Sequence, residues 1–229
     1  MQSALRQIAF LDREIADVER LIAKQMLHSP DARRLMSVPG VNLVATAAFL
    51  AAIGDIGRLS NSRRLVAYLG LDPKVRQSGE QPARSGRITK RGSASARWAL
   101  VEAAWSVVCQ PGPLRAYYQR IRARRGHGKA IVAAARKLAV LFWCLLHRGE
   151  DYAHQQPSLT AQKLRRLELA AGAPVRKGRP SGVWITHQKM RQAEKELAAQ
   201  AQASYEHAVR DWQAGRPKKT GASVTAERA

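Results

Sequence analysis

Residues 35–73 read LMSVPGVNLVATAAFLAAIGDIGRLSNSRRLVAYLGLDP. A short apolar helix runs into the tight turn Pro39-Gly40. An Ala-rich helix follows and ends near Gly54. Ser60 or Asn61 then offers an N-cap, because a short polar side chain can accept from the first free amides of a helix. Leu65, Val66 and Leu69 turn inward behind it, and Gly70 closes that helix. Three short helices in close succession, with no alternating strand pattern, predict an all-α fold.

The turn carries a candidate function. Val38-Pro39-Gly40-Val41 followed by an Ala-rich helix is similar to a helix–hairpin–helix DNA-binding element over residues 35–54. The free amides at the start of the second helix, aided by its dipole, can hold a backbone phosphate. That makes Pro39, Gly40, Val41 and Asn42 candidate DNA contacts, reading backbone and not bases. The motif commonly has a second glycine where Asn42 stands, and Asn tolerates left-handed backbone better than other residues. Ala45, Ala47 and Ala48 let the two helices approach closely. An ordinary helical hairpin without a ligand fits the same residues.

Working outward, residues 3–27 form one helix. Ile8, Ile15 and Ile22 recur every seven residues with Leu11 and Val18 between them, the a and d positions of a heptad. Such a stripe predicts either a two-stranded parallel coil or a helix packed on its own domain. On the other side, residues 71–93 are a long loop or hairpin rich in Gly, Ser, Pro and Arg. Apolar helices are expected over 94–109 and 129–148, a basic helix over 114–125, and a further helix over 157–170. Residues 172–183 resemble a linker, 186–213 a polar helix, and 214–229 a disordered basic tail. Trp98, Trp105 and Trp143 are expected in the core. The expected organisation is a coiled-coil helix (1–28), a helical DNA-binding domain (29–153), and a basic helical extension with a flexible tail (154–229).

The charge narrows the partner. The chain of 229 residues has 39 Lys+Arg against 17 Asp+Glu, a formal net charge of +22. Residues 1–73 hold 9 basic and 7 acidic side chains, net +2. Residues 74–137 hold 15 and 2, net +13, and residues 138–229 hold 15 and 8, net +7. The excess therefore sits in the middle of the chain, among apolar helical segments, which suits a folded polyanion-binding surface. Nucleic acid is the expected partner. No uninterrupted apolar run reaches the roughly 18 residues of a spanning helix, and no membrane is expected. Cys109 and Cys144 form neither a CxxC motif nor a disulfide framework, which suits a reducing cytoplasm.

Within the basic stretch, Arg76-Gln77-Ser78-Gly79 opens the loop, and Arg84, Arg87, Lys90, Arg91 and Arg97 follow. A serine hydroxyl attacks a phosphodiester only when its surroundings help, and guanidinium groups can stabilise the charge that develops on the phosphate. Glycine beside it lets a duplex backbone come close. Ser78 is thus a candidate nucleophile, and plain phosphate binding by the same loop is the alternative. Asp55, Asp72, Glu80 and Glu102 lie on different expected elements and form no acidic metal cluster. His127, between two glycines, reads as exposed in a turn.

In order, residues 35–73, RQSG, GRITKRGSASAR and GHGKAIVAAARKLAVLFWCLLHRGEDY resemble the C-terminal half of the insertion-sequence 110/116/902 transposase family. The resemblance covers residues 1–153. The tail around Tyr205, Trp212 and Arg216-Pro217-Lys218 is also similar to some members. The resemblance implies a DEDD-type enzyme in three parts: a RuvC-like nuclease domain with four metal-binding carboxylates, a helical coiled coil, and a transposase domain whose serine forms a covalent phosphoserine link to DNA. It implies dimers or higher oligomers, a noncoding bridge RNA that guides the choice of DNA, and a place in the bacterial cytoplasm at the nucleoid. Carried onto this chain, the nucleophile falls on Ser78, the hairpin on Pro39-Gly40-Val41, and phosphate-contacting cations on Arg84, Arg87, Lys90 and Arg97. This chain begins at the coiled coil, so Mg is expected only in a RuvC-like domain upstream and no cofactor on the chain itself. The alternative function is a truncated, catalytically inactive DNA- or RNA-binding module.

Overall fold

Most helices start at a side chain or ring that settles their first amides. Ser29 accepts from Ala32 N, Asn42 from Ala45 N, Asn61 from Arg64 N and Ser93 from Ala96 N. Pro113 and Pro157 occupy first-turn positions where no amide is needed. The computed structural model describes residues 2–77, 84–175 and 183–215. In chain order these form α1 (Gln2–Leu27), α2 (Pro30–Met36), α3 (Leu43–Ile53), α4 (Ser62–Tyr68), β1 (Pro73–Arg76), β2 (Arg84–Ile88), α5 (Ala94–Cys109), α6 (Pro113–Arg125), α7 (His127–Arg148), α8 (Pro157–Ala170) and α9 (Val183–Ala214). The all-α expectation holds, with one addition. The loop after α4 is a two-stranded antiparallel hairpin, β1 against β2, pairing Pro73 with Ile88 and Arg76 with Arg84.

The core lies between α3, α4, α5 and α7. Phe49 of α3 meets Phe142 of α7 edge-on at 4.9 Å between ring centres. Leu65, Val66, Leu100, Leu138 and Ala139 close around them. Side chains of this size, fully buried, each contribute about 1.5–3 kcal/mol of transfer free energy. By length and composition α7 is apolar enough to cross a membrane, the one such helix among those described, and half of that apolar window is buried inside the protein. The count of uninterrupted apolar residues passed over it because polar residues interrupt the run.

Two aromatic expectations reverse. Trp98 and Trp105 stand on the outer face of α5, 60% and 42% exposed, while its opposite face (Ala96, Leu100, Ala103, Ala104 and Val107) enters the core. The core side of α5 consists mainly of alanines packed close to α3 and α7, so the bulky indoles are left outside. Trp143 does pack against the core, and its Nε1 donates to Leu59 O at 2.8 Å.

The extension also packs. α9 lies along α6 and α8. Gln202 accepts from Gly112 N at 3.2 Å, and Glu194 accepts from Ser158 N at 3.0 Å at the start of α8. α1 touches the body through its C-terminal end, where Ala23 is buried with Met36 and Leu167. Ile8, Leu11, Ile15 and Val18 are all more than half exposed. The expected tail, residues 216–229, lies outside the described residues.

Candidate nucleic-acid interface

The turn between α2 and α3 is held from three sides. Gly40 has φ +89°, and a Cβ there would stand 2.6 Å from Val107 N and 2.7 Å from Ser106 C, both backbone atoms of α5. Only glycine meets the dihedral and the approach together. Pro39 and Val41 are buried. Asn42 is exposed and extended, at φ −109° and ψ 176°, not left-handed. Its side chain caps α3 at 2.9 Å, and its carbonyl accepts from the Thr46 hydroxyl at 2.8 Å. A residue that caps from an extended backbone has no need of the left-handed tolerance for which the position was read.

Beneath the turn, Lys163 of α8 donates to Met36 O at 2.8 Å and Val38 O at 2.7 Å. Met36 O is at the end of α2, where carbonyls lack helical partners, and Val38 O also accepts from Val41 N at 3.2 Å. Burial lowers this ammonium to a pKa of about 8. The Ser37 hydroxyl donates to Arg34 O at 2.6 Å and accepts from Tyr152 N at 2.9 Å. Burial raises the Tyr152 phenol to about 12. No sequence signal marked Lys163, since it sits among leucines and arginines on a helix with no distinguishing motif.

The β-hairpin is fixed at its base. Lys90 N donates to Gly70 O at 3.0 Å and Thr89 N to Asp72 O at 2.8 Å. The Thr89 hydroxyl donates to the Asp72 carboxylate at 2.6 Å. Gly92 packs so closely on α4 that a Cβ would stand 1.8 Å from Tyr68 O. Lys90 is held at φ +56°, a left-handed conformation a lysine adopts only when its surroundings impose it. Arg97 donates to Leu69 O at 3.1 Å, which ties α5 to the same corner.

This corner brings together several of the expected cations. Lys90 and Arg91 are exposed on it and Arg97 is half-buried within it, while Arg87 is exposed on β2 and Arg76 at the end of β1. Arg84 faces Arg76 across the hairpin register. Ser78, Gly79 and Glu80 lie outside the described residues, between strand ends at Arg76 and Arg84. The α2–α3 turn is not part of this corner. It meets α5 at Val107 while the hairpin base meets it at Arg97, about 15 Å away along the helix at ~1.5 Å per residue. The structure thus separates two candidate phosphate contacts, one at each end of α5.

At the far end of α5, Trp105 lies against His127 with ring centres 4.5 Å apart. His127 Nδ1 is hydrogen-bonded to the Tyr118 hydroxyl. His127 is exposed, as expected, but engaged on two sides. Arg122, Arg124, Arg125 and Lys129 are exposed around the α6–α7 turn. Among the described residues no three His, Cys, Asp or Glu side chains converge as a metal site.

Residues 32–119, which contain the turn, the hairpin and α5, match the family model "Transposase IS116/IS110/IS902 family". The chain is 32% identical over 145 residues to the transposase for insertion sequence element IS1111A of Coxiella burnetii, covering 62% of this chain and 40% of that one. It is 31% identical over 144 residues to the insertion element IS116 44.8 kDa protein of Streptomyces clavuligerus, covering 61% and 35%. It is 27% identical over 154 residues to the transposase for insertion sequence element IS1328 of Yersinia enterocolitica, covering 61% and 43%. The chain spans less than half the length of these relatives. Over residues 32–119, this chain is thus similar to transposases of the IS116/IS110/IS902 family.

Proposed function

We propose that this chain handles DNA in transposition and that Ser78 is the nucleophile. The observation that supports the reading is the basic hairpin: Lys90, Arg91 and Arg97 stand at its tied base, Arg87 on β2, and Arg76 at the end of β1, two positions before Ser78 in sequence. Hairpin strands pinned by Gly70, Asp72 and Gly92 give a loop fixed anchors, and fixed charge stabilises a transition state without reorganising. In the proposed step the Ser78 Oγ–P bond forms as one P–O bond of the DNA backbone breaks. The serine proton leaves to solvent, and the departing deoxyribose oxygen takes one up. The Pro39-Gly40-Val41-Asn42 turn grips backbone at the opposite end of α5, and Gly79 and Arg84, near Ser78 in sequence, are assigned to the same DNA contact.

The wider assembly belongs to the same proposal. α1 joins copies into a dimer or larger oligomer, a guide RNA selects the DNA, and any Mg serves a RuvC-like domain. The test is a trapped adduct: nicked element-end DNA is incubated with the chain and a RuvC-like partner domain, then denatured and resolved by mass. The wild type is expected to give a covalent protein–DNA species and Ser78→Ala none. An adduct with Ser78→Ala overturns the assignment. If neither protein forms an adduct while Arg87→Ala and Arg91→Ala weaken duplex binding and its salt dependence, the chain is a non-catalytic binding module.

A further inference from the structure

The indoles that the core leaves outside have no role in the reading above. Trp98 and Trp105 are seven residues apart on one face of α5, so they stand two turns apart, about 10 Å along the helix. That is close to the span of three nucleotides at ~3.4 Å per nucleotide of one strand. The stripe has a cationic group at each end. At the N-terminal end of α5 stand Lys90 and Arg91 of the hairpin base. At the other stand Arg122, Arg124, Arg125 and Lys129, with Trp105 backed by His127. Glu102 lies exposed between the indoles and is the one carboxylate on residues 84–137.

Exposed tryptophans flanked by cations suit an unpaired strand. Each base has a face that stacks on an aromatic ring, while phosphates seek the guanidinium and ammonium groups. In a duplex those faces are already stacked on neighbouring pairs and cannot reach an indole. A carboxylate midway repels phosphates but accepts from base amino groups, so Glu102 favours bases turned toward α5 with the backbone at the cationic ends. The charge complementarity, net +13 over residues 74–137, points to a polyanion and not to an apolar protein surface.

We infer that the Trp98–Trp105 face of α5 is a stacking platform for single-stranded DNA, holding about three unpaired nucleotides between the hairpin base and the α6–α7 turn. The choice of DNA rests on the transposition reading, in which strands opened beside the hairpin become unpaired next to this face. The test uses the whole chain and three labelled probes of about a dozen residues: oligothymidine DNA, oligouridine RNA, and a DNA duplex. Binding is followed by fluorescence anisotropy over a salt series. Trp98→Ala and Trp105→Ala are each expected to weaken oligothymidine binding about 5- to 100-fold with an unchanged salt slope, and to change duplex binding less than about twofold. Trp98→Phe and Trp105→Phe keep a stacking surface and should stay within a few-fold of wild type. They also separate lost stacking from lost folding. Arg124→Ala should instead lower the salt slope, by about 0.7 per lost contact on a single strand.

Three outcomes overturn the inference. One is an equal effect of the alanine variants on duplex and single strand, or no effect on either. The second is a Trp-dependent preference of about tenfold or more for oligouridine, which gives the platform to RNA. The third is sedimentation showing that the alanine variants dissociate copies of the chain while oligothymidine binding persists, which makes the face a protein contact. Because Ser78→Ala leaves this platform untouched, failure of the nucleophile assignment and failure of the platform register in different assays.

Discussion

α1 and α7 are both long helices with an apolar stripe, and they end in opposite environments. α7 buries Ala130, Ile131, Ala134, Ala135, Leu138, Ala139, Phe142, Leu145 and Leu146 against α2, α4, α5, α6 and the Phe49 ring of α3. α1 has 26 residues and buries Ala23 alone. Periodicity reports which face of a helix is apolar, but not what covers it. For α7 the cover is the chain itself. For α1 the described residues offer none along most of its length, and Ile8 and Ile15 are each 55% exposed.

The comparison breaks most sharply at Phe142. Phe142→Ala removes the ring that meets Phe49 and leaves a cavity in a fully enclosed site. The expected loss is about 3–5 kcal/mol, enough to unfold much of the population, read as a fall in the urea midpoint. An equivalent truncation in α1 should barely move that midpoint. If both truncations cost the same, α1 is covered within its own chain.

Gly40→Ala comes next. The added methyl meets the α5 backbone at Val107 and imposes a positive φ on alanine. About 2–4 kcal/mol should be lost, because the clash is with backbone and not with a flexible side-chain tip. Duplex binding measured at a temperature where the variant stays folded then shows whether the turn contacts DNA, as the transposition reading requires.

Lys163 and Tyr152 give the body a pH signature that α1 lacks. Lys163 titrates near 8 in the fold and near 10.5 unfolded, so between those values the unfolded chain holds the extra proton. Stability therefore rises from pH 8 to 10.5, by about 2–3 kcal/mol. Tyr152 titrates near 12 folded and near 10 unfolded, so the unfolded chain loses its proton first and stability falls from pH 10 to 12. The chain should show a rise and then a fall in urea midpoint across this range. Lys163→Met should remove the rise and Tyr152→Phe the fall.

What the sequence made legible follows the same division. The caps at Asn61 and Gly70, the apolar faces of α3, α4 and α7, and the heptad of α1 are local or periodic features, and each was readable. Residues 71–93 were readable as a long loop or hairpin without strand positions, because Pro73–Arg76 and Arg84–Ile88 carry no alternation of apolar and polar residues. Its strands are held by backbone bonds to Gly70 and Asp72, which leave no compositional mark. Trp98 and Trp105 were misread because large aromatic residues are usually buried, while here the alanine face of α5 gave the close packing. Lys163 was invisible because its partners are carbonyls more than a hundred positions away. Of the expected DNA contacts, Lys90, Arg91 and Arg97 stand at the hairpin base and Arg76 at the end of β1. The separation of that cluster from the Pro39-Gly40 turn depends on how α5 spans the domain, which no single motif encodes.

The smallest effect on folding is expected in α1, and it carries the most information about assembly. Ile8→Asp with Ile15→Asp places two charges on the exposed stripe. Neither residue is packed in the monomer, so the urea midpoint of a dilute sample should change by no more than about 0.5 kcal/mol in equivalent stability. If the stripe is the seam of a coil, two charges at a positions remove the apolar contact that holds it. Sedimentation should then show an oligomer in the wild type and a monomer in the variant. α7 allows no such separation, since a charge at Leu138 unfolds the domain before any association can be read. A wild type that stays monomeric at high concentration ends the reading of α1 as a self-association helix, and the stripe then needs cover from a different chain or segment.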